Sequence, residues 1–145
     1  MKVAVSAVHD NGEIIQLLLL PSQELLAEQS RVTAIRGEQL PVRELHVTLA
    51  STSGYPDKQL PPPPAFVEFL EGAEVASRSD KTSTYLRVSA ASQAELQGYV
   101  ATLEKALGVE GLQNPTRVFH VSLSNLVGTP RASIAKVWQN ASLPV

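Results

Sequence analysis

The sequence predicts an α+β fold built from two similar halves. Three observations support this prediction: short strand-like runs bounded by turn residues, two helical segments with recognisable caps, and a likeness between the two halves of the chain. With 145 residues, 43% of them hydrophobic and 18% charged, the chain is large enough for one domain with a shared core. We therefore expect a single bilobal domain over residues 1–145, its halves at about 1–60 and about 65–145.

The first half is predicted to contain two strands, a helix and a third strand. Residues 3–8 are typical of a strand, and the Asp-Asn-Gly sequence at 10–12 predicts a tight turn after it. Residues 13–20 form a short apolar run stopped by a proline, which favours a buried strand over a helix. A serine N-cap then opens a helix over about 22–34, and the next strand is expected at 44–50.

A loop over residues 51–64, which ends in four consecutive prolines at 61–64, is predicted between the two halves. Such a run is typical either of a stiff linker or of an SH3-type ligand, and we interpret it as a connector because a new strand follows at once. Alternation predicts strands at 66–78 and 83–90, joined by a turn at 79–81.

The rest of the second half is predicted to repeat the order of the first. Ser92 followed by Glu95 matches a capping box, which predicts a helix that continues to about Leu107 and ends at a glycine. The last clear strand is expected at 117–123, and a short C-terminal helix near 131–139. Trp138 in that helix is interpreted as an anchor to the core, with a nucleobase platform as the alternative.

The two halves resemble each other in sequence as well as in predicted element order. Residues 41–49 (PVRELHVTL) align without gaps on residues 115–123 (PTRVFHVSL), with five of nine positions identical. A Ser-Gln pair precedes each motif, at 22–23 and 92–93. Each half therefore reads as a strand, a capped helix and a His-x-Thr/Ser strand, which indicates duplication.

Strand geometry places each histidine and its neighbouring hydroxyl on the same face. Side chains alternate along a strand, so His46 and Thr48 lie on the same face of their strand, and His120 and Ser122 lie on the same face of theirs. The intervening apolar residues of both strands face the core. If the halves are related by a pseudo-twofold axis, the two pairs converge on one groove.

Two histidines and two hydroxyls in one groove suit the cleavage of a phosphodiester. A general base must deprotonate the attacking oxygen and a general acid must protonate the leaving oxygen, and imidazole does both near neutral pH. The hydroxyls of Thr48 and Ser122 can donate hydrogen bonds to the non-bridging oxygens as charge develops there. We therefore predict His46, Thr48, His120 and Ser122 as catalytic residues.

The twin segments at 46–49 (HVTL) and 120–123 (HVSL) resemble the paired H-x-T/S signature of the 2H phosphoesterase superfamily. This superfamily includes RNA 2′,3′-cyclic phosphodiesterases once called 2′-5′ RNA ligases, 2′-5′ oligoadenylate phosphodiesterases, and phage anti-CBASS enzymes that cut cyclic oligonucleotide messengers. The resemblance covers nearly the whole chain. It implies a bilobal, pseudo-twofold α+β fold in which antiparallel sheets line a central groove and helices cover the outer faces, with the two histidines as general acid and base. The serine of the second motif departs from threonine but keeps the hydroxyl.

Three further residues are predicted to bind substrate. Tyr85 and Arg87 alternate with core-facing neighbours, so the tyrosine is available to stack on a base and the arginine to neutralise phosphate. Ser124 is in phase with the second motif and is predicted to contact phosphate. His9, beside the first turn, is interpreted as a surface residue, and Arg117 as structural.

Composition narrows the class of function. The chain has no cysteine, which excludes disulfides and thiolate chemistry, and its three histidines show no metal-binding spacing, so neither a metal nor a cofactor is expected. A net charge of −2 argues against duplex DNA as a partner and favours a nucleotide or oligonucleotide phosphodiester. No apolar run is long enough to span a membrane, so we expect a cytoplasmic protein (in the host cytoplasm if the protein is viral). We also expect a monomer or a weak homodimer. The alternatives are a non-catalytic module that binds nucleotides or RNA ends in the same groove, and a structural protein.

Overall fold

The computed structural model describes residues 1–54, 59–78, 80–134 and 143–145. Two α-helices and nine β-strands are formed by these residues, with short 3-10 turns at Val42–Glu44 and Pro130–Ala132. The helices are α1 (Gln23–Ile35) and α2 (Ala90–Leu107). The strands are β1 (Lys2–Asp10), β2 (Ile14–Leu20), β3 (Glu38–Gln39), β4 (His46–Ser51), β5 (Phe66–Glu68), β6 (Glu74–Arg78), β7 (Lys81–Arg87), β8 (His120–Asn125) and β9 (Leu143–Pro144).

The described strands form one curled antiparallel sheet, so the prediction of a mixed α+β fold is confirmed in its coarse form. Along the sheet the strand order is β5-β1-β2-β4-β8-β7-β6-β9, with β3 paired to β8 outside this path. We expected antiparallel sheets, but β4 pairs directly with β8 and joins the strands of both halves into one sheet.

Both helices lie against the apolar face of this sheet. Helix α1 contacts β8, and α2 contacts β4 and β5. Val47 and Val121, at the centre of β4 and β8, are fully buried in the core, as the predicted alternation requires. Burial of a single such side chain contributes about 1.5 to 3 kcal/mol, so the core holds the two central strands firmly in register. The same core includes Val3, Ile15, Leu17, Leu25, Val32, Leu49, Leu86, Leu96, Leu103, Phe119 and Leu123.

Helix α1 begins as predicted and ends in a contact that fixes it to the sheet. The Ser22 hydroxyl accepts from the backbone N–H of Leu25 at 3.1 Å, which is an N-cap. Beyond the helix, Gly37 has φ +82°, and an added Cβ would lie 2.8 Å from the backbone oxygen of Asn125. Only glycine allows this close approach, which brings the α1–β3 connection onto the end of β8.

The predicted start of α2 was wrong by one turn. Ser89 is the N-cap, and its hydroxyl accepts from the backbone N–H of Ser92, which therefore lies inside the helix. The Ser92 hydroxyl instead accepts from the backbone N–H of Glu68 at 2.9 Å and ties the helix to β5. The predicted C-terminal end is confirmed, since Gly108 has the left-handed φ of +67° that ends many helices.

Three other predicted elements differ from the structure. The expected strand at 66–78 is two strands, β5 and β6, separated at Gly72, whose φ is +89°. The proline run at 61–64 is irregular, as a connector should be, and the carbonyl oxygen of Pro61 accepts from the Tyr99 hydroxyl of α2 at 2.6 Å. The helix near 131–139 is absent over 131–134, where only the 3-10 turn forms, while Ser79 and Trp138 lie outside the described residues. Within the described chain, no helix is long and apolar enough to cross a membrane.

Candidate functional site

The two predicted motif strands lie side by side at the centre of the sheet. Val47 of β4 is the cross-strand partner of Val121 of β8 in an antiparallel pair. This register sets His46 opposite Ser122 and Thr48 opposite His120, all on the face away from the helices. The two histidines are therefore diagonal neighbours, about 7 to 8 Å apart with their Cβ atoms somewhat closer. Both imidazole rings thus border the same small area of this face of the sheet.

Both imidazole rings are held in the same way. The Nδ1 atom of His46 lies 2.8 Å from the backbone oxygen of Glu44, and that of His120 lies 3.0 Å from the backbone oxygen of Val118. Because a carbonyl oxygen only accepts, Nδ1 carries the proton in each contact. The Nε2 atom of each ring is then the one left for proton exchange with a bound molecule.

His120 lies in a drier and more positive environment than His46. Its side chain is 8% exposed, whereas His46 is only half-buried. Burial lowers the pKa of His120 to about 4, and although its hydrogen bond to Val118 opposes this, the positive charges of Arg117, His46 and Arg87 act with burial. The imidazole of His120 is therefore kept neutral, and the cationic groups around it favour an anion bound beside it.

The neighbouring strand β7 supplies the wall around His120. Arg87 is the cross-strand partner of His120, and Tyr85 is the partner of Ser122. The fully buried Tyr85 ring meets the His120 ring edge-on, with centroids 5.3 Å apart and planes at 67°. Burial, with the nearby Glu74 carboxylate, raises the pKa of Tyr85 to about 12, so its hydroxyl stays protonated. Tyr85 therefore has no free face for a base, and its position indicates support of the His120 ring.

Arg87 is held by an ion pair rather than left for phosphate alone. Its Nε lies 2.7 Å from Oε2 of Glu74, and both side chains are half-buried. This hydrogen bond with the Glu74 carboxylate raises the pKa of Arg87, which keeps the guanidinium charged. The Glu74 carboxylate thus fixes the arginine beside His120, a partner that sequence analysis missed because Glu74 lies on a different strand.

The backbone leading into His120 is clamped by helix α2. The Gln93 amide nitrogen donates to the backbone oxygen of Arg117 at 2.7 Å, and its amide oxygen accepts from the backbone N–H of Phe119 at 3.0 Å. These bonds fix the two residues on either side of Val118, whose carbonyl holds the His120 ring. Gln93 is therefore a positioning residue, and the Ser-Gln repeat was its only signal in the sequence.

Ser124 is not placed as expected. It is fully buried, its hydroxyl donates to the backbone oxygen of Arg36 at 3.0 Å, and it lies 2.6 Å from the hydroxyl oxygen of Thr84. The Gly37 connection described above covers this end of β8, which closes the face that alternation alone would leave open. The Ser124 hydroxyl is thus engaged within the fold, and we leave it out of the proposed site.

His9, interpreted from the sequence as a surface residue beside a turn, lies within β1 on the same face of the sheet as the motif histidines. It pairs with Gln16 of β2, which in turn pairs with Thr48 of β4. The Gln16 amide nitrogen lies 3.5 Å from Nδ1 of His9. All three histidines of the chain therefore share one face of the sheet.

Arg117 is buried, 8% exposed, and its Nε has no hydrogen-bond partner among the described residues. Burial lowers the pKa of its guanidinium. In the described ranges, no group of three or more histidine, aspartate or glutamate side chains is arranged to hold a metal ion.

Comparison with protein-family models, curated proteins and solved structures gives no match to this chain. The geometry of the site is therefore the evidence for its chemistry.

Proposed function

We propose that this chain is a metal-independent phosphodiesterase that hydrolyses RNA-type phosphodiester bonds by general acid and base catalysis between His120 and His46. The observation that carries the proposal is the pair of diagonal histidines on adjacent strands, each with Nδ1 bound to its own backbone and Nε2 left for proton transfer. A protein that only bound nucleotides would not require two proton-transfer groups held so alike.

The unequal surroundings of the two rings assign their roles. His120 is neutral at pH 7, because burial lowers its pKa to about 4, so it acts as the general base. His46 is more accessible to solvent, where a charged imidazolium costs less, so it acts as the general acid. His120 takes a proton from water as the water oxygen bonds to phosphorus, the phosphorus–ester oxygen bond breaks, and His46 gives its proton to the departing oxygen.

The groups around the histidines support the binding of an anionic phosphate. Thr48 and Ser122 lie opposite the two histidines and are half-buried, so their hydroxyls can donate to the non-bridging oxygens. Arg87 adds positive charge on the β7 side, and the Glu74 ion pair fixes its position. This arrangement stabilises the charge that develops on phosphorus-bound oxygens without moving any group.

The strand order supports membership of the 2H phosphoesterase superfamily and a duplicated, pseudo-twofold fold. Read inward from the two sides, β1-β2-β4 of the first half meets β6-β7-β8 of the second at the β4–β8 pair. Each half also carries one helix, and α1 contacts the strand of the opposite half. The expected substrates are terminal 2′,3′-cyclic phosphates, 2′-5′ linkages or cyclic oligonucleotide signals.

A product assay over a panel of these substrates tests the proposal. Purified protein is incubated with 2′,3′-cyclic mononucleotides, 2′-5′ oligoadenylates and cyclic di- and trinucleotides, and products are resolved by chromatography. We expect turnover of at least one class, unchanged by EDTA. Complete inactivity with saturable nucleotide binding would favour the binding module instead, and activity lost in EDTA but restored by zinc or manganese would overturn the metal-independent mechanism.

A further inference from the structure

The polar face of the sheet extends beyond the two motif strands toward β1. Cross-strand pairing aligns His9, Gln16 and Thr48 in one row, and the row continues through His120 to Arg87. Neighbouring strands lie about 4.8 Å apart, so His9 is about 10 Å from Thr48. The reacting phosphate accounts for the central part of this row and leaves the His9 end without a role.

Apolar side chains lie directly beside the His9 end of the row. On β2, Leu18 pairs with Ala7 on one side and with His46 on the other, and both Leu18 and Ala7 are half-buried. Leu20, two residues farther along β2, is 55% exposed. A half-covered aliphatic surface edged by an amide and an imidazole has the chemistry of a nucleobase site, with an apolar floor and a few polar groups at the rim.

We infer that His9, Gln16, Ala7 and Leu18 form a subsite for the nucleobase of a second nucleoside, one position removed from the nucleoside that carries the scissile phosphate. The inference rests on the proposed function and narrows it, because a mononucleotide cannot reach this subsite and the reacting groups together. Imidazole stacks on a base, and the glutamine amide offers the donor and acceptor pair that matches the Watson–Crick or Hoogsteen edge of adenine. The preferred substrate is therefore a single-stranded dinucleotide or longer, linear or cyclic.

The experiment compares two substrates with the same reacting group. One is adenosine 2′,3′-cyclic phosphate, and the other is the dinucleotide ApA ending in the same cyclic phosphate. Because stacking on one base contributes about 1 to 3 kcal/mol, wild-type kcat/KM should favour the dinucleotide by about 5- to 150-fold. His9→Ala and Gln16→Leu should each lower this ratio by about 5-fold or more, through KM for the dinucleotide. Lys2→Gln, on the same strand but seven residues away, is the matched control and should keep the wild-type ratio.

A binding measurement separates failure of the subsite from failure of the proposed catalysis. ApA without a cyclic phosphate is titrated into the protein while the ring protons of the three histidines are followed by NMR. Shifts at His9 that vanish in Gln16→Leu support the subsite even if no substrate is cleaved, in which case the phosphodiesterase proposal alone fails. A wild-type ratio near one, a ratio unchanged in both variants, or no His9 response to ApA would overturn the subsite.

Discussion

The two histidine strands, β4 and β8, carry nearly the same sequence but set their histidines in different surroundings. His46 has Leu18 as its cross-strand partner on β2 and remains half-buried. His120 has Arg87 as its partner on β7, meets the Tyr85 ring, and is 8% exposed. The same motif, with the same hydrogen bond to its own backbone, therefore yields one solvated ring and one buried ring. The difference comes from the neighbouring strands, β2 beside His46 and β7 beside His120, and not from the motif.

Under the proposed mechanism, this asymmetry lets a repeated motif supply both an acid and a base. Two identical imidazoles in identical surroundings would share one preferred charge state, whereas the reaction needs one ring neutral and the other charged. Burial beside Arg87 and Arg117 favours the neutral form at His120. On the β1–β2 side His9 is exposed and Gln16 is half-buried, so the proposed mechanism assigns this side to the remainder of a substrate.

The largest expected effect tests whether both rings take part. His46→Ala and His120→Ala should each lower kcat by about 10² to 10⁴-fold, the range for loss of a general acid or base. The double variant should be little worse than either single one, because the two rings act as a unit. Steady-state kinetics on the best substrate measures this, with the exposed Arg43→Gln as a control for purification and folding. Near-wild-type turnover in either histidine variant would remove that ring from the mechanism.

A second test uses stability to measure the burial of His120 directly. Its pKa is about 4 in the folded protein against an ordinary value of 6.5, so between these values the unfolded chain binds the extra proton. The free energy of unfolding should therefore fall as pH drops from 6.5 through 4, by up to about 3 kcal/mol, since one pKa unit corresponds to about 1.4 kcal/mol. Urea unfolding at several pH values measures the slope.

The variant His120→Gln should lose this part of the pH dependence. As a control, Thr84→Val removes one hydroxyl of the buried Thr84–Ser124 contact and should lower stability by about 1 kcal/mol at every pH, with the slope retained. Equal slopes in wild type and His120→Gln would show that the ring is not buried neutral.

Sequence reasoning predicted which way the motif side chains face, because that direction depends on local alternation alone. Val47 and Val121 are buried, so His46 and His120 must face the other way, whatever the partner strands are. The surroundings of those residues depend on which strands pair and in which register. The pairing of His9 with Gln16, and of Gln16 with Thr48, could not be read from the sequence, and it decides that His9 shares the histidine face.

Tyr85 and Ser124 show that alternation also fails to predict how deeply a side chain is buried. Both occupy the expected phase, yet both are fully buried, because long-range packing covers them. The α1–β3 connection closes over Ser124 through Arg36, and Tyr85 is enclosed beside Val118 and Ile134. Alternation predicts which way a side chain points but not how much of the chain lies above it.

A third test sharpens the assignment of base and acid. In the free enzyme, kcat/KM should rise with pH as His120 deprotonates near pH 4, and it should fall at higher pH as the general acid loses its proton. Below pH 4, each decrease of one pH unit should lower kcat/KM about 10-fold. The negative charge of bound phosphate favours protonated imidazole, so the acid limb in kcat should lie at higher pH than in kcat/KM.

The variants identify the limbs of that profile. His120→Ala should lose the acid limb, and His46→Ala the alkaline limb, with circular dichroism at each pH to confirm that the protein remains folded. A wild-type acid limb centred near pH 6.5 in kcat/KM would contradict a buried neutral base, and loss of the acid limb in His46→Ala would reverse the two roles.

The smallest expected effects concern the two hydroxyls, Thr48 and Ser122, which differ between the otherwise matched motifs. Thr48→Ala and Ser122→Ala should each lower kcat by about 10-fold or less, because each removes one hydrogen-bond donor while both proton-transfer groups remain. Thr48→Ser and Ser122→Thr, which exchange the residue of one half for that of the other, should keep activity within about 3-fold, since the hydroxyl is retained. Ser122 lies opposite His46 and beside Tyr85, so the added methyl group of Ser122→Thr meets a more crowded wall than Thr48 does beside Gln16. If the alanine variants lose no more activity than the exchange variants, the hydroxyls make no contact with the phosphate, and Arg87 with the two imidazoles must hold it alone.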